Sequence, residues 1–439
     1  VRALLGLALI VVGAPAAWAN EFESLGFGPR AIAMGDAVTA DANDYTAVWY
    51  NPAMLVSRTD LNFGLSFNYQ HLASQVATRD PSQQANLDCS HCTPNDALGF
   101  STGLLFPLGG KLKNRVALGV GVYLPVERLL RTEAPDPNSP FWYLYTGSPE
   151  RITVVGAIGV KVTDWLSVGV GVQALADLIG SGATVDVDLF SKQVGLRQID
   201  SHLATRNAPI AGLLIQPLPQ LRFGASYRAE MSLLYSIPAS VNLTGIGQLD
   251  FSVEGIVHYS PHTFNAGVAY DVTPKLTLTL DGTFALWSRA PSPYMNLDMS
   301  LSGTTLSALG LEGAFDISSP RQAPGLKNTL AGHAGMEYRW SDRLAARGGV
   351  FFRPTPVPQQ DTAGTNILDA DTLGVAAGIG FAFDDPLEVF VAPIHIDAAV
   401  QGAYLFNRSA NKDPTADTVP SYTYAAQTIG ASVAVRYDF

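Results

Sequence analysis

Charge is scarce in this chain, cysteine is almost absent, and long apolar runs are missing beyond the opening segment. Asp, Glu, Lys and Arg make up only 15% of the 439 residues and leave a formal charge of -11. That acidic balance excludes nucleic acid as a partner, because a phosphate backbone needs a basic face. A membrane-crossing helix requires about 20 consecutive apolar residues. Here apolar residues are interrupted, usually at every second position, by Gly, Ser, Thr or a charge. A bundle of membrane helices is therefore excluded. No catalytic spacing motif is present, and nothing calls for a cofactor.

The two cysteines stand together as Cys89-Ser90-His91-Cys92. In an oxidising compartment such a pair closes a small disulfide within a loop. A redox or metal role is the alternative, but zinc would want four ligands and a second cluster is missing. The opening residues read as a targeting segment: Arg2, the apolar run Ala3 to Val12, then the small-x-small Ala17-Trp18-Ala19. Cleavage after Ala19 gives a signal peptide over residues 1–19 and a chain that leaves the cytoplasm.

What is there is alternation. A strand with one face in lipid and the other in a polar lumen must alternate with period two. In the last stretch Ile429, Ala431, Val433, Val435, Tyr437 and Phe439 share one face. Thr428, Gly430, Ser432, Ala434, Arg436 and Asp438 share the other. The same pattern runs through Leu276 to Trp287, Thr329 to Trp340 and Arg115 to Leu124. Connections alternate as well. Lys161 to Asp164, Gln216 to Gln220, Asp271 to Pro274 and Trp340 to Asp342 are tight turns. Ala73 to Asp96, Glu127 to Pro149, Ser288 to Gly325, Pro354 to Ala370 and Asn407 to Ser421 are long polar connections. Bacterial outer-membrane barrels have short periplasmic turns and long extracellular loops. The pattern predicts an all-β protein, a transmembrane antiparallel β-barrel of about 14 strands over residues 61–439. The stretch from Leu203 to Tyr259 reads as two long strands.

Residues 20–60 do not alternate. They are rich in Gly and Ala and punctuated by Pro29 and Pro52. Too apolar for a free tail, they are expected to fold into the lumen as a plug. The motifs here are Gly28-x-Arg30-Ala31-x-Ala33-Met34-Gly35-x-Ala37, then Ala42-x-Asp44, then Tyr50-Asn51-Pro52-Ala53-x-Leu55. They resemble the N-terminal hatch of the FadL-type outer-membrane transporters. Lys327 to Arg353, followed by Pro354-x-Pro356-Val357-Pro358, resembles a strand, turn, strand and loop of the same family. The terminal Phe439 resembles the C-terminal signal read by the barrel assembly machinery.

The resemblance implies passive uptake of hydrophobic compounds across the bacterial outer membrane, long-chain fatty acids first and aromatic hydrocarbons second. It implies a monomer surrounded by outer-membrane lipid and lipopolysaccharide, with lateral exit through the barrel wall at a kinked third strand. Asn51, Pro52 and Ala53 match the hatch motif that faces this exit; the alternative is a mere turn. Pro125 matches the proline-bearing end of the third strand, where a missing amide donor would break the ladder.

A carboxylate ligand needs a basic lumen residue. Lys327 is the first candidate by family position. Arg339 and Arg347 share the lumen face with His333 and Glu337, and a structural charge ladder is their alternative. The second basic residue of the fatty-acid members is missing between Ala174 and Asp188, which leaves room for an uncharged hydrocarbon. Phe141, Trp142 and Tyr143 could form an outer capture groove or an interfacial aromatic girdle. Rival readings are a general porin, an adhesive barrel, and a lipid hydrolase whose Ser-His pair only geometry would reveal.

Overall fold

The computed structural model describes residues 21–126, 136–145, 151–188, 193–243, 247–310, 313, 316–319, 323–361, 365–386, 392–415 and 418–439. The expected signal peptide and the limits Glu127 and Pro149 of one expected loop lie outside the described residues. Within them no helix is long and apolar enough to cross a membrane.

The alternating stretches form strands that pair in sequence. They are β1 Asn62–Thr78, β2 Ala97–Pro107, β3 Val116–Pro125, β4 Thr153–Lys161, β5 Leu166–Asp188, β6 Gln193–Leu218 and β7 Leu221–Arg228. The second half comprises β8 Thr263–Thr273, β9 Leu276–Ala285, β10 Thr329–Ser341, β11 Leu344–Arg353, β12 Thr372–Phe383, β13 Ile394–Ala410 and β14 Tyr422–Asp438. Each pairs antiparallel with its neighbours, and β14 returns to β1 from Asn62↔Asp438 to Thr78↔Tyr422 without a register shift. The closed wall has fourteen strands, and closure leaves no unpaired edge.

The two faces fall where the alternation puts them. Ile429, Val433 and Val435 are exposed outward while Thr428, Ser432 and Ala434 are buried inward. Leu278, Leu280 and Phe284 face out, and Thr277, Thr279 and Asp281 face in. The outward apolar belt suits lipid, and the inward residues need partners.

Between Leu203 and Tyr259 the structure corrects the sequence reading. There are four strands, not two, and β6 begins at Gln193. Only β6 and β7 belong to the wall. Met231–Leu243 and Gly247–Ser260 form a hairpin on the loop side, docked parallel on the far end of β5 from Ala183↔Ala239 to Val187↔Leu243. A loop-side hairpin alternates as a wall strand does. Only the choice of partner separates them.

Pairing along the third strand is uninterrupted where a kink was expected. β3 pairs with β2 from Ala117↔Pro107 to Pro125↔Gly99, and with β4 from Val116↔Val160 to Tyr123↔Thr153, with no register shift. The Val126 N–H still donates to the Leu98 carbonyl at 3.0 Å. The Pro125 nitrogen therefore points toward β4, where pairing has already ended at Tyr123, and its missing donor breaks nothing.

Residues 21–57 form short helical pieces: α1 Glu21–Ser24, α2 Pro29–Ala33, α3 Ala47–Tyr50 and a 3₁₀ stretch Pro52–Ser57. They fill the lumen. A Cβ added at Gly64 of β1 would strike Tyr45, at Gly119 of β3 Leu55, at Gly169 of β5 Pro52, and at Gly224 of β7 Thr39. At Gly349 of β11 it would strike Gly35 and Met34, and at Gly430 of β14 Leu25. One segment touching strands around the whole ring can only lie inside it. The wall glycines make room for it. Its apolar side chains, including Phe27, Met34, Val48 and Met54, pack into one buried cluster with Leu105 of β2 and Val155 of β4. The cluster also takes in Ile210 of β6.

A candidate ligand cavity between the N-terminal segment and the loops

The lumen is divided by the N-terminal segment into two unlike halves. On the turn side lies a chain of ion pairs. Arg30 of α2 meets Asp41 at 2.5 Å and Glu337 of β10 at 2.9 Å. Arg347 meets Glu337 at 2.7 Å and Asp397 of β13 at 2.5 Å. Arg436 joins Asp397 at 3.3 Å and Asp438 at 2.9 Å. Arg222 of β7 bridges Asp41 at 2.8 Å and Asp271 at 2.7 Å. Arg339 contacts Glu337 at 2.7 Å. Buried carboxylates and guanidinium groups alternate from β7 through the segment to β14, so each charge is compensated.

On the loop side the segment leaves a cavity of about 250 Å³. Its floor is Phe22, Glu23, Asp36, Thr39, Trp49 and Tyr50 from the N-terminal segment. Its walls include Arg228, Thr329, His333, Phe351 and Gln401. Its lid comes from the loops, as Tyr143, Leu144, Tyr145, Trp287 and Pro356. Aromatic side chains from the floor and the lid give apolar surface, and polar groups from the wall strands lie among them and can orient a bound molecule.

The floor is fastened by polar contacts. The Thr39 N–H donates to the Asp281 carboxylate at 2.7 Å. The His333 Nδ1 lies 2.8 Å from the Gly35 carbonyl. Asp281 and His333 are cross-strand partners on β9 and β10, so two neighbouring wall groups grip the turn from Gly35 to Thr39. Within that turn Asp36 has a positive φ of 63°. Its carboxylate accepts from the Tyr50 hydroxyl at 2.5 Å, and that hydroxyl accepts from the Phe27 N–H at 2.9 Å. Burial pushes the Asp36 carboxyl up to about 6, with the Tyr50 bond acting against it.

The structure places the residues singled out from the sequence in different regions. Of the cavity candidates it brings His333 and Tyr143 together. Phe141 and Trp142 lie in the loop cap beside it. Phe141–Trp142 pairs parallel with Ile367–Leu368. The Trp142 Nε1 donates to Ser74 Oγ at 2.8 Å and to the Cys92 carbonyl at 3.0 Å. Cys89 and Cys92 are joined by a disulfide. Lys327 is exposed before β10, with its N–H donating to the Pro356 carbonyl, and does not line the cavity. Arg339 and Arg347 belong to the ionic chain on the other side of the segment.

Asn51 is fully buried, with its Nδ2 donating to the carbonyls of Thr39 at 2.8 Å and Leu213 of β6 at 3.0 Å. Pro52 and Ala53 lie against Gly169 and Gly212, on the β5 and β6 wall. The side chains of residues 177–204, where a second basic group was sought, lie outside the described residues.

Sequence reasoning missed Glu23, Arg228, Asp281 and Gln401. Asp281 carried a signal, as a lone carboxylate on the inward face of an alternating strand. Arg228 carried none, since it ends a strand beside ordinary turn residues. A Ser-His contact does exist, with His258 Nε2 lying 3.0 Å from Ser260 Oγ. The Ser260 hydroxyl, however, donates to Glu23 at 2.5 Å, so it is committed to holding α1.

A family model described as outer membrane protein transport protein (OMPP1/FadL/TodX) matches residues 8–439. Alkane uptake protein A of Marinobacter nauticus is 21% identical over 415 residues, covering 90% of this chain and 85% of that protein. Among solved structures, a FadL homologue of Pseudomonas aeruginosa superposes with a TM-score of 0.58 at 17% identity, over 97% of this chain and 99% of its own. The toluene transporter TodX of Pseudomonas putida gives 0.58 at 14% identity, over 94% and 99%.

Proposed function

We propose, since the chain belongs to the OMPP1/FadL/TodX family of outer membrane transport proteins, that it takes up hydrophobic small molecules through the loop-side cavity. Long-chain fatty acids are the first substrates of this reading, and alkanes or monoaromatic hydrocarbons the second. The protein is an outer-membrane β-barrel, and within it residues 21–57 act as a hatch. The single observation that carries the reading is the cavity with aromatic residues on its floor and lid, bounded below by the N-terminal segment and above by loop residues. A hydrocarbon chain gains about 0.8 kcal/mol for each CH₂ taken out of water.

A ligand resting on Phe22, Trp49 and Tyr50 touches the same segment that continues into Asn51, Pro52 and Ala53. Movement of that segment would uncover the wall at β4 to β6, where its contacts lie on glycines. Sideways departure there keeps the molecule in the bilayer and avoids re-solvation. The relatives named for alkanes and toluene support the apolar class of cargo and not a particular member of it.

The test is binding of radiolabelled palmitate and toluene to detergent-folded protein, beside Ala331→Trp. Ala331 lines the cavity and is buried, so an indole there fills it. We expect saturable binding of at least one ligand, lowered about tenfold or more in the variant. Binding that survives the filled cavity would place the ligand elsewhere and sink this reading.

A further inference from the structure

The lid of the cavity is fastened from behind by a cluster of polar side chains where β7 ends and β8 begins. Pro261 and Thr263 line the cavity, while His262 between them turns its ring toward Tyr227 and Glu230. The His262 Nδ1 lies 2.8 Å from the Tyr227 hydroxyl and accepts from the Glu230 N–H at 3.2 Å. Its Nε2 lies 3.3 Å from the Glu230 carboxylate. The same carboxylate accepts from Arg289 Nε at 2.9 Å and from the Tyr259 hydroxyl at 3.4 Å. Tyr259 and Trp287 both line the cavity, with ring centroids 6.1 Å apart. The N–H of Leu286, next to Trp287, donates to the His262 carbonyl at 3.0 Å. One imidazole and one carboxylate therefore tie the loop-side hairpin and the stretch after β9 to the end of β7.

This geometry requires one protonation state. A backbone N–H only donates, so Nδ1 must be bare, and the proton of the neutral ring sits on Nε2, facing Glu230. A second proton would set an N–H at Nδ1 against the Glu230 N–H. The Tyr227 hydroxyl can rotate and accept, but the amide cannot. Imidazole is the side chain that takes up a proton between about pH 5 and about pH 8. The titratable groups facing the ring are Tyr227 from β7 and Glu230 from the turn after it. Tyr259 from the hairpin and Arg289 from beyond β9 reach it through the Glu230 carboxylate.

We propose that His262 and Glu230 are positioning residues that hold the lid rings Tyr259 and Trp287 closed, and that protonation of His262 releases this latch and speeds ligand entry. This rests on the uptake reading and adds a control by pH on the loop side. The charged ring keeps the carboxylate at Nε2 and repels the amide of the same residue at Nδ1. Residue 230 cannot keep both contacts, so its turn shifts, and the carboxylate leaves Tyr259, whose bond to it is already long at 3.4 Å.

The experiment follows, by stopped flow, the association rate of N-phenyl-1-naphthylamine, an uncharged apolar fluorophore, with the detergent-folded full chain at about pH 5.5 and about pH 8. Wild type, His262→Asn, His262→Ala and Glu230→Ala are compared, each shown to be a folded barrel by its heat-dependent migration on gels. Wild type should take up the probe about fivefold faster at the lower pH, the effect of about one net hydrogen bond. His262→Asn keeps an acceptor for the amide and does not titrate, so it should be slow at both. His262→Ala and Glu230→Ala should be fast at both. Asp36 on the cavity floor, raised to about 6, titrates in the same window and is unchanged in His262→Asn. A pH effect that persists in that variant therefore belongs to another group and overturns the proposal. Equal wild-type rates at the two pH values overturn the proton control while leaving cavity uptake intact. Slow entry in folded His262→Ala or Glu230→Ala overturns the latch. If the probe binds wild type at neither pH, the cavity reading falls and takes this proposal with it.

Discussion

The two halves of the lumen treat charge in opposite ways. On the turn side, arginines and carboxylates alternate in an unbroken chain of ion pairs. On the loop side, Arg353 is paired with Asp369, while the guanidinium of Arg228 lies over a tryptophan ring in the cavity. Both sets are buried, and both bridge the wall and the N-terminal segment. The difference lies in what is left over. A compensated network has nothing to offer a ligand and works as a clamp. A guanidinium held by a ring face and one carbonyl is not locked into such a network. The lesson is that burial and basicity alone do not mark a binding residue; the state of its partners does.

The comparison can be broken most forcefully at its clamp. Glu337 contacts Arg30, Arg339 and Arg347. Glu337→Ala would leave two buried arginines short of a partner, at a cost of about 3–5 kcal/mol. Urea unfolding of the folded barrel should show the loss, and planar-bilayer current should rise as the segment loosens. An unchanged midpoint and current would mean the chain of charges is not what holds the segment.

A smaller effect is expected from Gly349→Val, which puts a Cβ about 2.2 Å from backbone atoms of Met34 and Gly35. Backbone cannot step aside cheaply, so the segment must shift, at about 1–3 kcal/mol. Faster cleavage of the N-terminal segment by added protease would report it, and a wild-type cleavage rate would count against the close fit.

Asp36 sharpens the contrast from the cavity floor. Its carboxyl is raised from 3.8 to about 6 by burial. The folded state therefore holds this proton more tightly than the unfolded state does. Between those two values stability should fall as pH rises, and the cost is complete above the upper one. Asp36→Asn should flatten that part of the stability–pH curve, and an unaltered slope would assign it to another group.

The smallest effect is a null one. Lys327→Ala should leave palmitate affinity within about twofold, because the residue stands outside the cavity. A tenfold loss would place ligand binding at the turn before β10, where family position had put it.

The barrel was legible because period-two alternation is a local property, written in residues such as Ile429 to Phe439 and Leu276 to Phe284. The tight turns at Lys161 to Asp164 and Asp271 to Pro274 were legible for the same reason. The hairpin of Met231 to Ser260 was not, because it alternates like a wall strand and differs only in what it pairs with. Arg347 and Lys327 illustrate the corresponding difficulty for the site. Facing the lumen was readable from spacing. Lying above or below a folded segment inside that lumen was not.

The sequence by itself determined an all-β chain, its inward and outward faces, the alternation of short and long connections, and a non-alternating apolar segment ahead of the strands. Each of these depends on neighbours within a few residues. The tertiary structure alone decided that this segment divides the lumen, that Glu337 collects arginines from three places, and that Arg228 meets a tryptophan instead of a carboxylate. Those pairings join residues as far apart as 30 and 337, and no local pattern encodes which charges meet when a ring of strands closes around a folded core.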